Sequence, residues 1–423
     1  PRDESFYFHA AHEYGGWFEE LFKHWQNGQV WESFTKANVD KHWSYNSEHP
    51  ALMKTLFALS RLLFADSLGW LSGPLAMRLP AMATGAALVA GTYLFGRQVF
   101  GRLAGAVAAL AVLAQPRLFF HAHLACFDVP ITCFWLWVVY AYWRSLDHRG
   151  WAVACGLLFG LALSVKLNAF FLPVVLTGHW LATNWKELRI RRADPGWSIR
   201  LPAIPWALLA MALLGPLVFY ATNPRFWFDT YSRVASYMAF HLNHVHYFVY
   251  YFGQNLKYPP LPGSYPWVMT VVTVPATILI AAGLGGVYAA LTWDPIDWLG
   301  RWRTALAEGR LPDRRTGDPR ATGFLLALNL VFPIALIAMP KTPIFGGTKH
   351  WMPAMPFLAL FAGAGVILAF RLIRDRLDRA GLARVTALVT AVAVLGPAAY
   401  ATAHIHPFGT SYYNEFIGSI RGA

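Results

Sequence analysis

The chain has 423 residues, of which 56% are hydrophobic and only 13% charged, with a mean hydropathy of +0.38. A soluble domain carries about a quarter charged residues, so this composition excludes a soluble enzyme and marks an integral membrane protein. The net charge of +13 does not point to nucleic acid, because the basic residues lie in short loops between apolar blocks, the positive-inside pattern.

In chain order, residues 1–73 are the least hydrophobic stretch. "YGGWFEELFKHWQNGQVWESF" places apolar residues at helical spacing with Trp and Phe among charges, which predicts a helix lying on the membrane surface. "PALMKTLFALSRLLF" starts a second such helix at Pro50; it carries Lys54 and Arg61 and is too short to span. Ten spans follow, near 74–96, 103–120, 128–143, 151–165, 168–183, 203–222, 266–292, 323–339, 352–370 and 385–402. The fold class is therefore an all-α polytopic bundle. Arg97 and Arg102, Arg144 and Arg149, Lys186 to Arg200, Arg301 to Arg320, and Arg371 to Arg384 fall on alternate loops, which the charge rule makes cytoplasmic. Residues 1–73, 115–127, 223–265, 340–351 and 403–423 then lie outside. An outer residue 1 without a cleavable signal calls for one more span before it, and "HPFGTSYYNEFIGSIRGA" reads as the start of a further outer segment.

Ionisable groups at a membrane boundary are expensive and point to function, so the outer ones are the candidates: Asp3, Glu4, Glu48, His49, Arg78, Asp128, Lys166, Arg225, Lys349 and His350. Each has a plainer explanation. Asp3 and Glu4 suit a helix start, Glu48 and His49 precede the helix-opening Pro50, Arg78 can snorkel, and Asp128 stands before Pro130 in a first turn. Lys166, in a connection of hardly any length between two apolar runs, is best explained by a polar cavity. Both signs of charge on one face are what an anionic leaving group and a proton-accepting base require. "HAH" at 121–123 and "HLNHVH" at 241–246 have spacings that suit a divalent cation, but no metal-binding signature accompanies them, and anchoring of outer loops explains them better. Cys126, Cys133 and Cys155 read as small buried side chains. No glycine-rich phosphate loop is present, so a donor substrate would come from the membrane.

The outer "DE", "EHPALMK", "MRLPAMATGAALVAGTYLFGRQVFG", "FDVPITCFWLWVVYAYWRS", "GLLFGLALSVKLNAFFLP" and "TKHWMPAMPFLALFAG" stand in an order that resembles the GT-C membrane glycosyltransferases. The group they resemble most is glycosyltransferase family 39, which includes protein O-mannosyltransferases and lipid A aminoarabinose transferases. The resemblance implies that Asp3 is the catalytic carboxylate, with Glu4 and Asp128 beside it. It also implies that Arg78, Lys166, Lys349 and His350 bind the donor phosphate and that Glu48 and His49 contact substrate. Many members have Arg-Tyr where this chain has Lys349 and His350, and Lys is a point charge where Arg is a bidentate fork.

The expected activity is inverting transfer of a sugar from a polyprenyl-phosphate donor to a hydroxyl of a protein, lipid or glycan acceptor. It would take place on the extracytoplasmic face of the plasma (cell inner) membrane. No cofactor beyond a possible divalent cation, and no nucleic acid, is called for. Two rivals share the features: a GT-C transferase using a diphosphate-linked donor, and a lipid or solute transporter. The absence of an internal inverted repeat and the gathering of charge at one face argue against transport.

Overall fold

The computed structural model describes residues 2–184, 189–193, 196–200, 204–243, 245–293, 319–344, 346–377 and 383–422. Its first helix, α1 (Arg2–Gln26), starts earlier than the aromatic pattern predicts and takes Asp3 and Glu4 into its first turn, where a carboxylate complements the helix dipole. Its inner face is Glu4, Tyr7, Ala10, Ala11, Tyr14 and Trp17, spaced by three and four residues and all buried. Trp17 Nε1 donates to the Ser33 carbonyl at 2.8 Å, tying α1 to the 3-10 turn Val30–Phe34. Next come α2 (Lys36–Trp43), capped by the Thr35 hydroxyl, and α3 (Leu52–Arg61), which opens after Pro50 and packs along α1.

The apolar helices are α4 (Gly73–Phe100), α5 (Arg102–Leu113), α6 (Pro116–Ala122), α7 (Asp128–Ser145), α8 (Gly150–Val165), α9 (Leu172–Asn184) and α10 (Trp206–Thr222). After α11 (Thr230–Leu242) come α12 (Tyr265–Thr273), α13 (Ala276–Trp293), α14 (Pro319–Ile337), α15 (Met355–Leu377) and α16 (Ala383–Ile405). Two antiparallel hairpins, β1–β2 (Arg189–Ala193 with Gly196–Arg200) and β3–β4 (Val249–Tyr251 with Gln254–Leu256), interrupt the helices. Of the basic loop residues, Lys186, Arg301, Arg303, Arg310, Arg314, Arg315 and Arg379 lie outside the described residues. α7 is buried nearly all round and forms the centre of the bundle.

By length and composition, α4, Arg320–Ile337, Met352–Ile373 and Val385–Ile405 are each able to cross a membrane. Two of the expected spans are bent. The segment 103–120 divides into α5 and α6 at 72°, and 266–292 into α12 and α13 at 113°. Pro116 and Pro275 mark both breaks: proline has no N–H to continue the helix, and it pushes the preceding residue out of the helical region. α8 and α10 are shorter apolar helices.

Close backbone contact holds α13 to α15. A Cβ added at Gly365 would collide with the Ala281 carbonyl oxygen, and one at Gly285 with that of Phe361. In lipid, where water does not drive helices together, such close approach supplies the packing energy. Gly365→Val is expected to cost about 3 kcal/mol, the upper end for overpacking, because backbone must move. Gly286→Val, where the added Cβ meets nothing, should leave the unfolding midpoint in detergent unchanged.

The loops at one end of the bundle are laced together. Ala51 N–H donates to Asn223 Oδ1 at 2.7 Å, Arg117 donates to the Tyr412 carbonyl, Leu261 N–H to Pro340, and Asn414 N–H to Val272. Arg225 and Arg233 both reach Asp40 at 2.7 Å, joining α2 to α11. Arg225, in the 3-10 turn Pro224–Phe226, is thus a strut to α2 and not a member of the charged cluster described next.

Candidate active site

Asp3 and Glu4 are neighbours on α1, so their side chains leave the helix about 100° apart and meet different partners. Glu4 turns inward, is only 3% exposed, and accepts two hydrogen bonds from Arg78 on α4, from Nε at 2.7 Å and Nη2 at 2.8 Å. It also accepts from the Ala125 N–H at 3.0 Å. Burial pushes the Glu4 carboxyl up, but the Arg78 hydrogen bonds, the Ala125 N–H and the Arg78 charge outweigh it and hold it below its usual range. Asp3 turns toward the 3-10 turn Gly347–His350, where Lys349 Nζ donates to its Oδ2 at 2.8 Å; the aspartate side chain stays 47% exposed.

The third pair lies at the start of the central helix. Asp128, first residue of α7, accepts from Lys166 Nζ at 2.7 Å, with His121 Nδ1 at 3.6 Å on its other oxygen. Lys166 reaches it because α8 stops at Val165 and Lys166 is extended, at φ −157° and ψ 140°, before the next 3-10 turn. Asp128 and Asp3 together outweigh the effect of burial on Lys349, raising its pKa, so that its ammonium is charged.

Glu48 and His49 occupy a bracket before α3. Asn46 adopts a left-handed φ of 53°, which its short amide tolerates, and its Nδ2 donates to Glu48 Oε1 at 2.7 Å. His241 Nε2, from α11, donates to the Glu48 carbonyl at 3.0 Å. The His49 ring stands 5.8 Å from Tyr7, 5.5 Å from Phe127 and 6.4 Å from His241. Burial, then the charges of Lys54, Lys166 and His241, keep His49 well below the usual histidine range, so it is a neutral imidazole. His350 is half-buried beside Lys349.

Two members of this region escape sequence reasoning. Tyr7 stacks at 4.1 Å on Phe127, and burial followed by the charge of Asp128 raises its hydroxyl well above the usual range, with Asp3 and Glu48 adding to it. Lys54 is 0% exposed and donates to the carbonyls of Asn46 at 2.6 Å and His49 at 2.9 Å, fastening the bracket from behind. The lysine in "EHPALMK" was readable, but its helical position hid the inward direction. Burial pushes Lys54 down to about 7 against the upward pull of Glu48. Unfolded lysine titrates near 10.5, so between about pH 7 and 10.5 the unfolded chain holds a proton that the folded one lacks, and stability rises with pH there. Lys54→Met should flatten that slope in unfolding midpoints taken at pH 7 and 9.5.

Among the described residues, no three His, Cys, Asp or Glu side chains form a group able to hold a metal ion. His123 Nδ1 donates to the Phe119 carbonyl instead, and His244 lies outside the described residues. The three cysteines are free and buried.

Three pairs of opposite charge, with a neutral imidazole between helices, make one polar cluster at an end of an apolar bundle. Residues 48–193, just over a third of the chain, match the family model of dolichyl-phosphate-mannose-protein mannosyltransferases. ArnT from Cupriavidus metallidurans in the apo state superposes with a TM-score of 0.50 at 17% identity, over 90% of this chain and 69% of that one. The fold is that of the GT-C membrane glycosyltransferases. The apo oligosaccharyltransferase of Archaeoglobus fulgidus has the same GT-C fold at a TM-score of 0.52 and 13% identity, over 86% of this chain and 48% of that one. The A. fulgidus oligosaccharyltransferase AglB in complex with an inhibitory peptide and a dolichol-phosphate gives 0.51 at 13% identity, over 87% and 48%. The chain thus spans about two thirds of the length of ArnT and about half that of AglB. No curated protein sequence matches it.

Proposed function

We propose that this GT-C chain transfers a sugar from a polyprenyl-phosphate donor to an acceptor hydroxyl at the extracytoplasmic face of the cell inner membrane. The observation that carries the reading is the contrast within the cluster. Glu4 and Asp128 are buried and fully engaged by cations, whereas Asp3 is half exposed and held by a single lysine. Asp3 accepts the proton of the acceptor hydroxyl as its oxygen bonds to the anomeric carbon. The bond from that carbon to the phosphate oxygen breaks on the opposite face, so configuration inverts, and the polyprenyl phosphate departs with the electron pair. Lys349, released from Asp3 by the incoming phosphate, and Lys166 stabilise the departing anion, with Arg78 behind them. Glu48 and His49, fixed by Lys54 and His241, line the acceptor or sugar side. The dolichol-phosphate in the AglB complex and the mannosyltransferase match over 48–193 support a lipid-phosphate donor.

The test is turnover by the purified protein in lipid. Incubation with a polyprenyl-phosphate sugar and membrane extract should yield a product heavier by one sugar unit, with release of the polyprenyl phosphate. Turnover with a diphosphate-linked donor alone, or movement of lipid without bond cleavage, would overturn the reading.

A further inference from the structure

The segment between α10 and α12 holds a surface that the charged cluster does not use. On the hairpin β3–β4, Val249 and Tyr251 pack inward with Leu256, so alternation turns Phe248 and Tyr250 outward, at 67% and 65% exposure. Phe252, in the two-residue turn with Gly253, is 78% exposed and has a left-handed φ of 47°. Turns of this kind favour Asn or Gly, and a bulky aromatic there is strained. The Phe252 ring lies against that of its neighbour Tyr251, with ring centres 4.5 Å apart, and otherwise faces outward on a backbone conformation unfavourable for phenylalanine, a combination that points to a role for the exposed ring. Tyr231, Leu242, Val245, Tyr247 and Tyr258 extend the exposed apolar surface along the same segment. Residues 230–293 contain no Asp or Glu; Arg233 is only 10% exposed and is taken up by Asp40 and Asp229, whereas Lys257 Nζ lies among the exposed rings, 5.2 Å from the ring centres of both Phe248 and Tyr258.

We propose that this segment docks onto the surface of an anionic phospholipid bilayer, with Phe252 at the tip of the hairpin inserted at the headgroup level. Aromatic rings prefer that depth, a lysine beside them pairs with lipid phosphates, and a segment without acidic residues avoids repulsion from the membrane. The segment lies between the apolar helix α10 and α12, which with α13 forms a bent pair apolar enough to enter a membrane, so the bilayer is close at hand. Since His241 of the same segment holds the Glu48 carbonyl, docking would seat the bracket of Glu48 and His49 against the lipid surface.

The experiment is spin labelling of Phe252→Cys, and separately of Phe248→Cys, in nanodiscs of phosphatidylcholine with phosphatidylglycerol. The three native cysteines are buried, which confines the label to the new site. Power-saturation electron paramagnetic resonance should find each label more accessible to oxygen than to a water-soluble nickel chelate. A label open to the nickel chelate overturns the proposal. So does a label shielded from both relaxants, which would report cover by protein instead of lipid.

Discussion

Asp3→Asn is expected to lower sugar transfer by about 10²- to 10⁴-fold, the range a positioned general base contributes, with no measurable change in thermal unfolding. Asparagine keeps the shape of the side chain and its place in the first turn of α1, but it cannot take a proton from the acceptor. The structural cost is small because the Asp3 side chain is half exposed, and ion pairs of that kind contribute about 1 kcal/mol or less. The paired measurement is single-turnover transfer from a polyprenyl-phosphate sugar beside an unfolding curve in the same detergent. Full activity in the variant would remove Asp3 from the mechanism, and a lower unfolding midpoint in step with lost activity would make its role structural.

Arg78→Met should behave in the opposite way, lowering stability first. It leaves Glu4 buried with only the Ala125 N–H beside it, and removing one partner of a buried pair costs about 3–5 kcal/mol. The Arg78 side chain is 33% exposed, so the loss should lie near the lower end, about 3 kcal/mol. Glu4→Gln in the same chain should recover part of it, because an amide is less costly to bury than an unpaired carboxylate. The pH dependence follows the same pair. The Glu4 pKa is depressed below 4.5 in the folded chain, so its contribution is complete above that value and is lost as pH falls through the folded pKa. Arg78→Met should therefore weaken acid lability at this site, read as a smaller drop in midpoint between pH 6 and pH 3.5.

Much of the fold is legible in the sequence because each signal acts locally. Pro50, Pro74 and Pro130 stand at or just before the first turns of α3, α4 and α7, and the lone Lys166 marks where α8 stops. The bends after α5 and after α12 were less legible, since an apolar run reads the same whether its helix is straight or broken. The charged residues of the cluster are legible one by one, but their partners are not. In the sequence Arg78 reads as a free cation for a phosphate, whereas the fold pairs it with Glu4, and it gives Arg225 to Asp40.

By itself the sequence determined the membrane class, the helical bundle and the set of charged residues set against apolar helices, because apolar length and charge placement are properties of short segments. Only the tertiary structure decided how those charges are shared. Asp3 and Glu4 differ by one position, yet a turn of about 100° on the helix sends one to Lys349, 346 residues away, and the other to Arg78, 74 residues away. Which carboxylate is buried against an arginine, and which stays half exposed beside a single lysine, depends on those distant partners. Short-range pattern carries no record of them.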